Sequence, residues 1–420
     1  MEANTDKPTK EAVRVSCRNC GQGLEHVFLD LGVSPLCESY VSEAGLREAE
    51  TFYPLCAYVC GNCFLVQVQD FETPEHIFRE YAYFSSFSQS WLEHAKTYSD
   101  MMIERFKLNE NSFVVEIASN DGYLLQNFVR QDIPVLGIDP ARNIAEAARE
   151  KGVDTLAEFF GQALAKGLAK ERQADLIAAN NVLAHVPDIN DFVAGFSELL
   201  KPEGVATFEF PHLLTLIQER QFDTIYHEHF SYLSLFALEP IFARHGLRVF
   251  DIETLSTHGG SLRLFVAHDS AAHTETNKVN DLREHEKAGG LDSLDTYLGF
   301  EAEVRDLKHN LLRLLLDLKA QGKTAAGYGA PGKGNTLLNY CGIYPDLLSY
   351  TVDLNPYKHH KYLPGTHIPI YPPDKLAETR PDYIMLLPWN LKDELLKQLD
   401  YARDWGAKFI VAVPEPQILD

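Results

Sequence analysis

Between Tyr226 and Tyr232 the chain reads Tyr-His-Glu-His-Phe-Ser-Tyr, which gathers two imidazoles, one carboxyl and two phenols within seven positions. That density of groups able to take up or release a proton points to acid–base chemistry rather than to a structural loop. A neutral imidazole is a competent base near pH 7, so His229 is the candidate base. Glu228 would orient a ring or share its proton, and Tyr226 would donate to a developing oxyanion. His185, in Asn180-Asn-Val-Leu-Ala-His, is a second candidate donor, although a lone histidine there also reads as a helix cap or a surface residue. A catalytic metal is the weaker reading of His-Glu-His, which lacks the i, i+4 spacing of a helical zinc motif. In a strand, His227 and His229 would flank an oppositely directed Glu228.

Six of the seven cysteines fall between positions 17 and 63, and four of them form two knuckles, Cys17-Arg-Asn-Cys20 and Cys60-Gly-Asn-Cys63. Each knuckle can present two thiolates to one tetrahedral ion, and four thiolates leave no open position for water. A structural zinc held by Cys17, Cys20, Cys60 and Cys63 is therefore expected, with the chemistry elsewhere. Cys37 and Cys56 stand outside this set, and Cys56, between Leu55 and Ala57, reads as a small core residue of a strand.

A third group lies in Phe113-Val-Val-Glu-Ile-Ala-Ser-Asn-Asp-Gly-Tyr, an apolar strand running through a loop of small polar residues into a helix that should start by Tyr123. Such a loop lets the backbone approach a nucleoside closely. No GxGxxG or GxxxxGK[ST] occurs here, and the carboxyls of Glu116 and Asp121 would repel a pyrophosphate. They suit instead the ammonium and sulfonium of S-adenosylmethionine, with Ser119, Asn120 and Gly122 completing the loop. About twenty residues on, Gly137-Ile-Asp-Pro ends the next strand, where Asp139 can accept from both ribose hydroxyls beside Pro140. Asn180, at the end of a later strand, faces the same edge.

The elements that must carry these groups can be placed from apolar periodicity. Strands are predicted at Phe113–Ile117, Val135–Ile138, Asp175–Ala179 and Val205–Phe210, alternating with helices, which implies a parallel sheet wrapped on both faces. Leucines at helical spacing predict an amphipathic helix over Glu301–Ala320. A second, smaller α/β series comes after it, with strands at Ala325–Tyr328, Tyr350–Asp353, Tyr383–Leu387 and Phe409–Val413. Within it, Gly327-Tyr-Gly-Ala-Pro-Gly-Lys-Gly-Asn leaves a strand and opens a helix, which places Lys333 to meet a pyrophosphate. Asp353 ends the next strand, and Lys358 and Lys361 lie just beyond it; solvated loop lysines are the bland alternative. The expected division is residues 1–70, a zinc-binding module; 71–300, an α/β Rossmann-like cofactor domain; and 301–420, a smaller α/β domain.

The chain has 420 residues, 45% of them hydrophobic and 23% charged, and a formal charge of −22, so its field repels nucleic acid. No apolar run reaches the roughly 20 residues of a membrane helix, and the first residues lack a signal-peptide pattern. A cytoplasmic enzyme, monomeric or weakly self-associating, is expected.

The acidic loop and the Asp139 strand end together resemble the class I methyltransferase pattern, by which Asp139 binds ribose. Over nearly the whole chain the sequence resembles the three-domain sugar C-methyltransferases that act on nucleotide-linked ketosugars. The resemblance is carried by both cysteine knuckles, Tyr81-Ala-Tyr-Phe-Ser-Ser, Tyr226-His-Glu-His-Phe-Ser-Tyr, His258-Gly-Gly-Ser-Leu-Arg, Gly327-Tyr-Gly-Ala-Pro-Gly-Lys-Gly-Asn and Pro364-Gly-Thr-His-Ile-Pro. It implies methyl transfer to a carbon beside the ketone of a nucleotide-linked deoxysugar, with dTDP as the expected nucleotide. It also implies that Tyr81 acts in catalysis, and that Tyr83, Lys333, Asn335, Asp353 and Lys361 bind substrate. A carbon next to C=O is nucleophilic only after losing a proton, so a base and oxyanion donors are required. Methylation of oxygen or nitrogen in another metabolite, an inactive scaffold and a dehydrogenase using the glycine-rich segment are the alternatives.

Overall fold

The computed structural model describes residues 15–73, 85–87 and 89–420. Three sheets organise the chain. The first is antiparallel, in the order β1 (His26–Ser34), β2 (Tyr53–Val59), β3 (Val66–Val68) and β9 (Ser231–Tyr232). Its last strand comes from the middle of the chain, where Tyr232 pairs with Val66 and Ser231 with Gln67.

The second sheet has seven strands. Its parallel part runs β6 (Thr155–Leu156), β5 (Val135–Ile138), β4 (Val114–Ile117), β7 (Ala174–Asn180) and β8 (Leu200–Pro211). The antiparallel β11 (Ser261–His268) and β10 (Leu247–Leu255) then close one edge. All four residues of β4 are buried, as expected of a parallel strand covered on both faces. The chain moves outward from β4 to β5 and β6, then returns to β7 on the other side. This order creates a crevice beyond the carboxyl ends of β4 and β7, where open α/β sheets bind ligands.

The third sheet runs β14 (Ile370–Tyr371), β13 (Thr351–Val352), β12 (Ala325–Tyr328), β15 (Tyr383–Leu386), β16 (Lys408–Val411) and β17 (Gln417–Leu419), parallel except for β17. Its own switch lies between β12 and β15.

Helix α1 (Gln89–Phe106) packs on the second sheet, with the Tyr98 hydroxyl 2.6 Å from Thr207 Oγ1. Helix α2 (Leu294–Ala320) begins before the predicted Glu301, because Tyr297 and Phe300 extend the same buried stripe as Val304, Leu307 and Leu311. Phe300 stacks on Phe28 of β1 at 4.8 Å between ring centroids. Among the described residues the N-terminal module therefore has no separate core. Phe28, Leu55 and Val66 share one cluster with α2 and the third sheet, whereas Cys17, Cys60 and Leu65 share another with the second sheet.

Two local expectations are corrected. Residues 121–125 form turns and the helix starts at Gln126, since Ala118, Asn120 and Gly122 all take left-handed φ and delay helical geometry. The His-Glu-His segment is a turn rather than a strand, with the His229 N–H donating to the Tyr226 carbonyl at 3.0 Å. Tyr226 and His229 consequently face the same way.

Candidate active site

The four knuckle sulfurs converge. Cys17 and Cys63 Sγ lie 3.5 Å apart, Cys20 and Cys60 3.6 Å apart, and all four fall within 4.8 Å of one another. Tetrahedral Zn–S bonds of about 2.3 Å require sulfurs about 3.8 Å apart, so the set fits a zinc ion with all four positions filled by protein. The hydrogen bond with Cys63 holds Cys17 below the ordinary thiol value, which favours a thiolate. Cys56 lies on β2 as a strand residue, and Cys37 is buried elsewhere, its Sγ 3.5 Å from Glu228 Oε1.

At the carboxyl end of β4, Glu116, Ser119, Asn120 and Asp121 are all buried. Burial raises the Glu116 carboxyl well above its usual range, and nearby Asp139 and Asp121 add to the rise. Ser119 Oγ, Asp121 Oδ1 and Asn180 Oδ1 have no partner among the described residues, a cost that a polar ligand at this crevice would remove. The remaining Asp121 oxygen accepts from Lys151 Nζ at 2.7 Å and from the Ser86 hydroxyl. Asp139 lies at the end of β5 and accepts from the backbone N–H groups of Asn120 and Ala141 at 3.0 and 2.9 Å, with Pro140 between them. Burial lifts Asp139 to about 6 despite those bonds. The donors and carboxylates present fit the hydroxyls and positive charge of S-adenosylmethionine.

His185 closes a short helical turn after β7, and its ring meets His229 edge to face at 4.6 Å. His229 Nδ1 lies 2.9 Å from the Thr224 carbonyl, which fixes the proton on that nitrogen. Nε2 therefore carries the lone pair, and the Tyr226 hydroxyl donates to it at 2.9 Å. Burial holds His229 well below its ordinary value, and His185 pushes it further down. His185 is lowered to about 4 by burial, with the Glu228 backbone accepting from its ring.

Three expectations change with this geometry. The Tyr226 proton is directed at His229 rather than at an oxyanion, so the two residues form one unit. His229 is oriented by the Thr224 carbonyl, while the Glu228 carboxylate turns to Cys37. The neutral His185 ring spends its N–H on the Glu228 carbonyl rather than holding it for substrate. His227 points away, into the N-terminal module, with Nε2 3.1 Å from the Pro54 carbonyl.

From the third sheet, helix α3 (Gly332–Cys341) brings Lys333 to this cleft, and Thr336 Oγ1 donates to the Ile225 carbonyl at 3.2 Å. Lys333 donates to Asn390 Oδ1 at 2.8 Å and lies 4.7 Å over the Trp389 ring. Burial lowers its ammonium while Asp223 opposes the fall. Its ammonium lies beside the histidines, on a helix that packs against Ile225 through Thr336. The Asn335 amide is buried, and neither of its polar atoms has a partner among the described residues. Asp353 accepts from the Ala330 N–H of the glycine-rich turn and from the Asn355 N–H of its own loop, and Lys361 adjoins Tyr362, whose backbone pairs with Val41. Tyr81 and Tyr83 lie outside the described residues.

Asn181, Asp223, His258 and Trp389 also border the cleft. Asn181 and His258 adopt left-handed φ of 53° and 54°. Trp389 Nε1 donates to Asp223 Oδ2 at 2.7 Å, and burial raises Asp223 to about 6. His258 is lowered to about 4 by burial, with Lys333 adding to the fall. In the sequence only Asp223, three residues before Tyr226, and the Gly-Gly after His258 hinted at such roles.

Residues 17–78 match a family described as a zinc binding domain, 91–252 a methyltransferase domain, and 256–414 a C-methyltransferase C-terminal domain. C-methyltransferase NovU of Streptomyces niveus is 36% identical over 404 residues, 96% of each chain. Ubiquinone biosynthesis O-methyltransferase of Rhodopseudomonas palustris (strain TIE-1) is 28% identical over 114 residues, covering 25% of this chain and 45% of that one. Among solved structures, magnesium protoporphyrin IX methyltransferase from Synechocystis PCC 6803 with bound SAM covers 42% of this chain and 79% of its own at 12% identity and a TM-score of 0.33. The domain matches and the full-length relative establish an S-adenosylmethionine-dependent C-methyltransferase with a class I methyltransferase fold and a zinc-binding domain. The chain belongs to the C-methyltransferase family of which NovU is a member.

Proposed function

We propose that this enzyme methylates the carbon beside the ketone of a nucleotide-linked deoxy-ketosugar, with dTDP as the nucleotide. The observation that carries the reading is the Tyr226–His229 pair, an imidazole whose tautomer is fixed by Thr224 and whose lone pair already receives a phenol proton. In this scheme the Tyr226 oxygen takes the proton from the acceptor carbon as its own passes to His229 Nε2. The substrate is left as an enolate and His229 as an imidazolium held by the Thr224 carbonyl. The bound S-adenosylmethionine supplies the methyl group. Glu116, Ser119, Asn120, Asp121, Gly122, Asp139, Pro140 and Asn180 are assigned to the cofactor, and Lys333, with the Asn335 amide, to the enolate oxygen or the adjoining phosphate. His185 and Glu228 keep the dyad dry and aligned.

His229→Asn should lower turnover by at least ~10²-fold while leaving S-adenosylhomocysteine affinity within about threefold. Mass spectrometry of products from a panel of ketosugar nucleotides identifies the acceptor. Near-parent turnover by His229→Asn, or methylation only of oxygen or nitrogen acceptors, would overturn the reading.

A further inference from the structure

Arg18 sits inside the first zinc knuckle, between Cys17 and Cys20, yet its guanidinium reaches out of it. Nη1 donates to the Pro187 carbonyl at 2.7 Å, and Nη2 to the Val68 carbonyl at 2.6 Å and to Asp70 Oδ1 at 2.7 Å. Its backbone N–H donates to Gln67 Oε1 at 2.8 Å, and its guanidinium carbon lies 5.3 Å from the centre of the Phe230 ring. The side chain is only 9% exposed. Pro187 lies two residues after His185, and Phe230 is the residue next to His229. Val68 closes the circuit, because its N–H donates to the Phe230 carbonyl at 3.1 Å. One planar cation therefore ties the loop carrying one cleft histidine to β3, which is bonded to the residue directly after the other. The knuckle is held in turn from outside, since Asn190 Nδ2 donates to the Arg18 and Asn19 carbonyls at 3.2 and 3.0 Å.

We propose that Arg18 is a positioning residue for methyl transfer, fixing the His185 loop against the His229 turn, with the zinc knuckle as its rigid mount. The proposal rests on the reading of Tyr226–His229 as the proton acceptor. A misplacement of about 1 Å at a catalytic group costs up to ~10²-fold in rate, which sets the effect to be sought. Lysine cannot substitute, because a compact ammonium lacks the fork that spans two carbonyls on separate segments.

The test uses the full-length, zinc-replete enzyme. Arg18→Gln and Arg18→Lys should keep their zinc by elemental analysis and bind S-adenosylhomocysteine like the parent. Their kcat should fall about 10- to 100-fold with KM little changed. The acidic limb of kcat against pH should move up, because water admitted beside His229 relaxes the burial that keeps its imidazole neutral. Added guanidinium ion should restore part of the rate of Arg18→Ala. A kcat within about threefold of the parent in zinc-loaded Arg18→Gln would overturn the proposal. So would loss of zinc or cofactor affinity in step with kcat and no response to guanidinium, which would reduce Arg18 to a support of the fold. His229→Asn is measured alongside. If it turns over normally, the acid–base reading itself fails; if it is inactive while Arg18→Gln is not, only the Arg18 proposal fails.

Discussion

The side chains of the cleft are set for chemistry by dryness more than by ion pairing. His229 has both ring nitrogens engaged and its charged form is disfavoured by desolvation, so the neutral form that a base needs persists below the ordinary imidazole value. With the pKa lowered, kcat should stay flat as pH falls through 6.5 and drop only further down. A rate profile taken with zinc content monitored in parallel tests this, and a limb centred at or above 6.5 would contradict it. His185 and His258, both lowered to about 4, act on stability in the same window. The unfolded chain takes up protons below 6.5 that the folded chain refuses, so stability falls as pH drops from 6.5 toward 4. His258→Asn, which tolerates the left-handed φ of 54°, should flatten the slope of Tm against pH across that interval. An unchanged slope would mean that His258 is solvated. Residue types were legible from sequence here, because proton-transfer groups cluster between Tyr226 and Tyr232; their pairing was not. Whether Tyr226 addresses substrate or His229 depends on a turn that no alternation of apolar residues announces.

Among the elements, the buried parallel strands are the clearest in sequence, since continuous apolar runs such as Val114–Ile117 and Val135–Ile138 have few other homes. The loops at their carboxyl ends are harder to read. The one after β4 winds through three left-handed residues, two of them not glycine, and Asp139 holds it by accepting from the Asn120 N–H. Gly137 on β5 is the contact that makes room for this loop. A methyl at that position would lie inside van der Waals contact with Ser119 Oγ and 2.8 Å from Thr155 Oγ1. Gly137→Ala should therefore cost about 1–3 kcal/mol of stability and displace Ser119. Calorimetry should show S-adenosylhomocysteine binding weakened about tenfold, equivalent to about 1.4 kcal/mol. Unaltered affinity in a folded variant would remove Ser119 from the cofactor site. The glycine-rich turn before α3 shows what a local pattern leaves out. Glycines and a lysine resemble a phosphate loop, and the structure adds that the helix is packed on Ile225 and carries Lys333 over the Trp389 ring. That outcome depends on contacts between segments more than a hundred residues apart, which local pattern does not encode.

At the scale of the whole molecule, the zinc module is a brace for the cleft rather than an appendage. Its sheet accepts β9 directly after the His229 turn, and its apolar residues are divided between the cores of the other two sheets. It also meets the third sheet through Val41 and Tyr362, and through Glu50, which accepts from the Gly365 N–H at 2.8 Å and lies 2.9 Å from His367 Nε2. The cysteine spacing disclosed the metal, but not this junction, because pairing of residues 66–67 with 231–232 leaves no trace in either segment alone. Chelation of zinc should therefore lower Tm and abolish methyl transfer while S-adenosylhomocysteine affinity, assigned to the crevice beyond β4 and β7, falls far less; equal loss of both would contradict such a division. The most direct test of the central claim is exchange at the acceptor carbon. Wild-type enzyme, S-adenosylhomocysteine and a ketosugar nucleotide are mixed in deuterated water, where no methyl can be transferred. Deuterium should enter the carbon beside the ketone, and His229→Asn should suppress its entry by at least ~10²-fold. No incorporation by wild-type enzyme, with a substrate that it methylates at that carbon once S-adenosylmethionine is supplied, would contradict the account.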